Sequence, residues 1–171
     1  MDPWPRISIV IPSFNQGRFI EATLRSLLDQ SYSNLEVLVI DGGSTDNTVE
    51  IIERHADRLA YWVSEPDEGQ THALIKGFDR ARGEIGGWLC SDDLHEPWTL
   101  REVAQFFAAH PQAQVVYGDS SWIDIDGRPI RPKREHAFNR FIWTYDYNFI
   151  PQPSTFWRMN LYRQVGGLDQ A

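Results

Sequence analysis

The sequence has one cysteine, Cys90, in 171 residues. An intrachain disulfide is therefore impossible, and a reducing, cytoplasmic compartment is the natural setting. Positive charge is also short: 16 Lys and Arg stand against 24 Asp and Glu, a formal charge of −8. A nucleic-acid-binding surface is disfavoured, because phosphate contacts need clustered cations. The opening stretch "MDPWPRISIVIPSF" holds no apolar run long enough for a signal peptide or a membrane span. Peripheral association with the inner face of the plasma membrane is left open. The first strand is not followed by Gly-x-Gly-x-x-Gly, and there is no Gly-Lys-Ser/Thr phosphate loop, no Gly-x-Ser-x-Gly elbow and no zinc-like Cys/His spacing. Those absences remove several common enzyme classes.

What is present suits a folded globule. Hydrophobic residues make up 42%, with seven tryptophans, and the length fits a single domain over residues 1–171. "ISIVI" (7–11) reads as a buried parallel strand stopped by Pro12. Phe19, Ile20, Thr23, Leu24, Leu27 and Leu28 then fall on one face of a helix. "LEVLVI" (35–40), "AYWVSE" (60–65) and "IGGWLC" (85–90) predict three more strands, each followed by a helical pattern. This alternation implies an α/β fold with a parallel sheet covered by helices on both faces. Beyond residue 114 the rhythm changes: strands joined at the Asp126-Gly127 turn suggest an antiparallel hairpin. Residues 131–148, rich in basic and aromatic side chains without clear period, read as a mobile loop. A strand or short helix follows.

Ligands in open α/β sheets bind beyond the carboxyl ends of the strands. Four polar segments fall there: "PSFN" (12–15), "DGGSTD" (41–46), "PDEG" (66–69) and "SDD" (91–93). Asp41 precedes two glycines that let the backbone turn sharply. An ionised carboxylate only accepts hydrogen bonds, so Asp41 could take a pyrimidine imide N–H or a ribose hydroxyl. The competing reading is a plain turn with Asp41 as a cap. Ser44, Thr45 and Asp46 read as helix caps. Asp92 and Asp93 suit a hard cation, Mg²⁺ or Mn²⁺, which takes one or two carboxylates plus substrate phosphates. Their competing reading is a solvated acidic turn that caps the next helix.

Minor candidates surround this set. His95 could join the metal or touch phosphate, though such a histidine is more often a surface loop residue. Lys76 could reach a phosphate or simply be solvated on its helix. Arg131, Lys133, Arg134, His136 and Arg140 could close over an anionic ligand as a lid, or form a charged loop without a catalytic role. Phe141, Trp143, Tyr145 and Tyr147 could stack on a sugar, with core packing the default.

"SIVIPSFNQGRF", "VLVIDGGSTDNT", "SEPDEGQTHALIKGF", "GGWLCSDD", "PQPSTFWR" and "VGGLD" together resemble the family-two glycosyltransferases. The likeness runs from residue 7 to 169 and is closest to the bacterial polysaccharide and O-antigen synthesis branch. It implies the GT-A nucleotide-diphospho-sugar transferase fold: a Rossmann-like, mostly parallel sheet flanked by helices, with a small antiparallel element after the Asp-Asp motif. It implies sugar transfer, with inversion, from a UDP-, dTDP- or GDP-sugar to a carbohydrate or lipid-linked acceptor. By position, Pro12, Ser13 and Phe14 would line the base and Asp41 would hold the base or ribose. Asp92 would lie by the ribose and diphosphate, Asp93 would bind Mg²⁺ or Mn²⁺, and Asp67 and Gly69 would lie beside the donor.

The sequence departs from the pattern in two places. Many relatives carry a second acid where Gly42 stands. The general base of such enzymes usually lies a short way beyond the "GGLD" element, which here puts it past Ala171. The resemblance therefore implies an N-terminal, donor-binding portion, with Asp169 as the nearest acid. A nucleotide-sugar-binding module without turnover is an alternative. A sugar-nucleotide pyrophosphorylase is another, but it wants a glycine- and lysine-rich first loop, and "PSFNQGRF" has one glycine and no lysine.

Overall fold

The computed structural model describes residues 4–145 and 147–170. Four segments, the first two rich in Ile, Val and Leu, form parallel strands: β1 (Ile7–Ser13), β2 (Leu35–Asp41), β3 (Tyr61–Ser64) and β4 (Ile85–Trp88). The helices between them are α1 (Ile20–Leu28), α2 (Thr48–Arg54) and α3 (Gln70–Phe78), and α4 (Thr99–Ala109) follows β4. β5 (Val115–Tyr117) and β8 (Thr155–Arg158) complete a six-stranded sheet of order β3-β2-β1-β4-β8-β5. β8 runs antiparallel to both of its neighbours. The parallel half and its flanking helices agree with the α/β expectation, and the small second sheet agrees with the antiparallel element.

Alternation along β1 explains the two layers. Ile7, Ile9 and Ile11 face the core shared with α1, α2 and α4, whereas Val10 faces α3 together with Leu38 and Ile40. Both faces are covered, so the strand reads as a continuous apolar run. β4 carries Gly86 and Gly87 because β8 and the helix α6 (Met159–Gln164) pack directly upon it. A Cβ at Gly86 would meet Met159 Sδ at 2.4 Å, and one at Gly87 would meet Phe156 Cδ1 at 2.9 Å.

Three expectations need correction. Pro12 does not end the first strand, which continues to Ser13 with Pro12 in register with Ile40. A proline removes one ladder donor, which is tolerable this near a strand end. Residues 131–148 are not a featureless loop. Arg131 and Lys133 lie in β7 (Pro129–Lys133), which pairs with β6 (Ser120–Ile123), and residues 140–145 form the helix α5 (Arg140–Tyr145). Asp146, inside that span, lies outside the described residues. The aromatic group of this segment is not core either: Phe141 is 71% and Tyr145 75% exposed, and Trp143 and Tyr147 are also exposed. The Asp126-Gly127 turn is as expected, with Gly127 at φ +78° in the left-handed region. No helix among the described residues is long and apolar enough to cross a membrane.

Candidate active site

β1 lies between β2 and β4, so successive crossovers reverse direction at this point and the strand ends open into a crevice. A cleft of about 640 Å³ occupies it. Pro12, Ser13 and Phe14 line it from β1 and the residue beyond, Gly42 from the β2 end, Asp67 and Gly69 from the β3 loop, and Cys90 and Asp92 from the β4 end. A second cleft of about 900 Å³ lies on the other side of Asp92. It is lined by Asp92, Asp93, Phe19, the β6–β7 hairpin including Trp122 and Lys133, and Pro151 and Pro153. Asp92 lines both clefts.

The loops after β1 and β2 are knitted together by side chains. Asn15, at φ +53°, accepts from the Thr45 N–H at 2.9 Å, and its own N–H donates to Ser44 Oγ at 2.7 Å. The Gln16 N–H donates to Thr48 Oγ1 at 2.9 Å and the Gly17 N–H to Asp46 Oδ2 at 3.0 Å. Asp46 also accepts from the Thr48 side chain and N–H. These bonds, that of Thr48 first, hold its carboxyl below the ordinary value. Ser44 and Thr45 are thus cross-ties between two loops rather than helix caps; Asp46 does both jobs.

Asp41 is fully buried, and the chain itself fills its carboxylate. Oδ2 accepts from the Gly43 N–H (3.1 Å), the Ser44 N–H (2.8 Å) and Ser64 Oγ (2.6 Å), and Oδ1 from Ser44 Oγ (2.5 Å). Asp41 stands behind the cleft rather than in its lining. Ser13 is the reverse case: it lines the cleft and is 6% exposed, yet its hydroxyl has no hydrogen-bond partner among the described residues. A buried polar group without a partner costs about 1–3 kcal/mol, and a ligand is one way to satisfy it.

Cys90 Sγ and carboxylate oxygens of Asp92 and Asp93 lie within 4.8 Å of one another. Burial first, and then the Asp92 charge, raise the Asp93 carboxyl above its ordinary value. Burial and the two acids push the Cys90 thiol up to about 11. A thiol that keeps its proton is a poor ligand for a hard cation. Cys90 instead bonds Gln70 Nε2 and Gln152 Oε1, both at 3.4 Å. The pair of carboxylates fits a hard divalent cation, which would offset the charge that each imposes on the other.

The turn carrying these acids hangs on α1, an anchor that sequence reading missed. Thr23 Oγ1 lies 2.9 Å from the carbonyls of both Ser91 and Asp93, which share its one hydroxyl proton. Ser26 Oγ accepts from the His95 N–H at 3.1 Å, and Gln30 Oε1 from the Leu100 N–H at 3.0 Å. Thr23 and Ser26 lie one turn apart on α1, and Gln30 follows just past its end. The available signal was polar side chains set beside Ile20, Leu24 and Leu27 on a buried face.

His95 is buried rather than a surface residue, and it lies outside the Cys90, Asp92 and Asp93 group. Its Nε2 lies 2.8 Å from the Pro153 carbonyl, its ring packs on Phe156, and burial lowers its pKa to about 4. Lys76 pairs with Glu65 at 2.8 Å and lines neither cleft. Of the five basic residues, only Lys133 lines a cleft, and it pairs with Glu135 at 2.7 Å; Arg131 stacks on Trp122 instead. Asp169, the nearest acid to the expected place of the general base, is exposed and lines neither cleft. Ala171, past which that base is expected, lies outside the described residues.

Comparison with known proteins gives a consistent picture. The family model described as "Glycosyl transferase family 2" matches residues 8–164. A PGL/p-HBAD biosynthesis glycosyltransferase of Mycobacterium bovis is 36% identical over 119 residues, covering 67% of this chain and 46% of the relative. A glycosyltransferase of Nostoc sp. is 31% identical over 124 residues, covering 70% of this chain and 37% of the relative. The chain thus spans less than half the length of these curated relatives. Among solved structures, S. aureus TarS in complex with UDP superposes with a TM-score of 0.74 at 22% identity, over 94% of this chain and 48% of that one. The mannosyltransferase PcManGT of Pyrobaculum calidifontis, in complex with GDP-Man and Mn²⁺, gives 0.71 at 23% identity, over 98% and 48%. Both likenesses show the GT-A fold.

Proposed function

The chain belongs to glycosyl transferase family 2, and on that premise we propose that it binds a nucleotide-sugar donor for transfer, with inversion, to an acceptor hydroxyl in cell-surface polysaccharide synthesis. The observation that carries this reading is the cleft at the strand-order reversal, which ends at the Asp92–Asp93 pair. The nucleoside lies between Pro12, Phe14 and the Asp67 loop, with the diphosphate directed toward Asp92. Asp93, with Asp92 beside it, would hold Mg²⁺ or Mn²⁺. A cation there supplies positive charge against the diphosphate and the charge that builds on the leaving group. The sugar then points into the second cleft, where Trp122 offers an apolar ring face and the carbohydrate or lipid-linked acceptor approaches. Work at the inner face of the plasma membrane is part of this proposal.

Transfer also needs a general base within reach of the acceptor hydroxyl. Asp169, the nearest acid, lines neither of these two clefts. That observation favours a second reading of this chain, donor binding without turnover. Titration calorimetry with UDP-, dTDP- and GDP-sugars tests the shared claim. Binding of at least one of them in Mn²⁺, lost in EDTA, is the expected result; undiminished binding in EDTA overturns it. Release of nucleoside diphosphate in the same samples separates a transferase from a binding module.

A further inference from the structure

The base end of the nucleotide cleft contains a carboxylate with one uncommitted oxygen, and it is not Asp41. The Asp41 oxygens already accept four hydrogen bonds, about the capacity of a carboxylate, and no part of the residue is exposed. Its neighbour Gly42 does line the cleft, and the space above Gly42 is filled by Asp67. A Cβ built at Gly42 would lie 3.0 Å from Asp67 Oδ2 and 3.2 Å from its Cγ and Oδ1. The Asp67 carboxylate therefore covers the point where a side chain at position 42 would enter the cleft. Its Oδ1 accepts from the Gly69 N–H at 2.8 Å, which fixes the turn before α3. Oδ2 has no hydrogen-bond partner among the described residues. Ser13, whose carbonyl accepts from the Gly42 N–H at 2.8 Å, brings its unpartnered hydroxyl to the same end of the cleft.

We propose that Asp67 Oδ2 reads the nucleobase by accepting a ring N–H, so that the site selects uracil, thymine or guanine over cytosine. This rests on the reading of the cleft as a nucleoside diphosphate site. A carboxylate is an acceptor only, so it rewards a ring nitrogen that carries hydrogen. Uracil and thymine offer N3–H and guanine offers N1–H. At the ring position itself cytosine presents a lone pair, which a carboxylate repels, and its one donor is the exocyclic N4 amine, set off to the side of that position.

Asp67→Asn is an informative variant because the amide oxygen can keep the Gly69 bond while the amide nitrogen reverses the sense of the free position. Titrations of UDP, GDP and CDP in Mn²⁺ supply the readout. The wild-type chain should bind UDP or GDP at least about tenfold tighter than CDP, and Asp67→Asn should bring that ratio close to one. Equal wild-type affinity for all three, or an unchanged ratio in the variant, overturns the assignment while leaving the cleft a nucleotide site. Absence of binding by all three would overturn the nucleotide reading itself and this assignment with it. A ligand-side arm needs no variant: methylation of the ring N–H of the preferred nucleotide should weaken wild-type binding about tenfold. Equal binding of the methylated nucleotide would overturn the assignment. Asp41→Asn, which perturbs only the buried turn, should lower the melting temperature and leave the UDP:CDP ratio intact; a collapsed ratio there would return the role to Asp41.

Discussion

The two clefts that meet at Asp92 are built in different ways. The cleft at the strand-order reversal stands on strands buried in the sheet, and its loops are cross-tied by Asn15, Ser44, Asp46 and Thr48. The second cleft is walled in part by a two-stranded hairpin whose Trp122 is 53% exposed and carries Arg131 over its ring. A rigid wall suits recognition of one invariant moiety, and an exposed aromatic wall suits a partner that supplies its own apolar or sugar face. The difference is one of packing energy, so substitution can probe it.

The largest expected effect lies in the parallel half. Ile9→Ala should cost about 2–5 kcal/mol in urea unfolding, since it opens a cavity between β1 and α1. Ile130→Ala on the hairpin should stay within about 0.5 kcal/mol. Comparable losses would erase the contrast. Next is His95, whose neutral form is favoured by burial, with the pKa lowered from 6.5 to about 4. The unfolded chain takes up the proton first, so stability should fall by about 3 kcal/mol as pH drops through that window and change little above it. His95→Gln should flatten this acid limb in pH-dependent melting; an unchanged limb would assign it to other groups.

Thr23→Val keeps the side-chain volume and removes the hydroxyl shared by two carbonyls of the Asp-Asp turn, for a loss of about 1–2 kcal/mol. It should also weaken metal-dependent nucleotide binding. Unaltered binding would make Thr23 a core residue only. The smallest effect concerns Asp93 without metal. Its raised carboxyl pKa means that the ionised form opposes folding, so the Asp93 contribution to metal-free stability should rise as pH falls through that value, against the larger loss from His95. Asp93→Asn should remove this rise and leave the metal-free protein slightly more stable at pH 7. A less stable variant would contradict that sign.

Much of the fold was legible in the sequence because β-branched runs and 3.6-residue periodicity report burial directly. The convergence of four polar strand ends followed from topology alone, and six expected donor-site residues do share the cleft: Pro12, Ser13, Phe14, Asp67, Gly69 and Asp92. Asp41 shows where such reasoning stops. A carboxylate after a strand looks the same in sequence whether its oxygens face a ligand or are filled by Gly43, Ser44 and Ser64. His95 and Thr23 were misread or passed over for the same reason, since both act through backbone carbonyls that no motif records. The segment 131–148 lacked periodicity because its hairpin and helix bury few side chains on any face.

The central claim is that the Asp92–Asp93 turn joins a cation to a nucleoside diphosphate. Its most direct test is the melting temperature with UDP or GDP, with and without Mn²⁺, in the wild-type chain and in Asp93→Ala. Bound nucleotide at about 100 times its Kd should add about 2.7 kcal/mol of stability. The account predicts a rise that needs both nucleotide and Mn²⁺ in the wild type and vanishes in Asp93→Ala; an equal rise in the variant would contradict it.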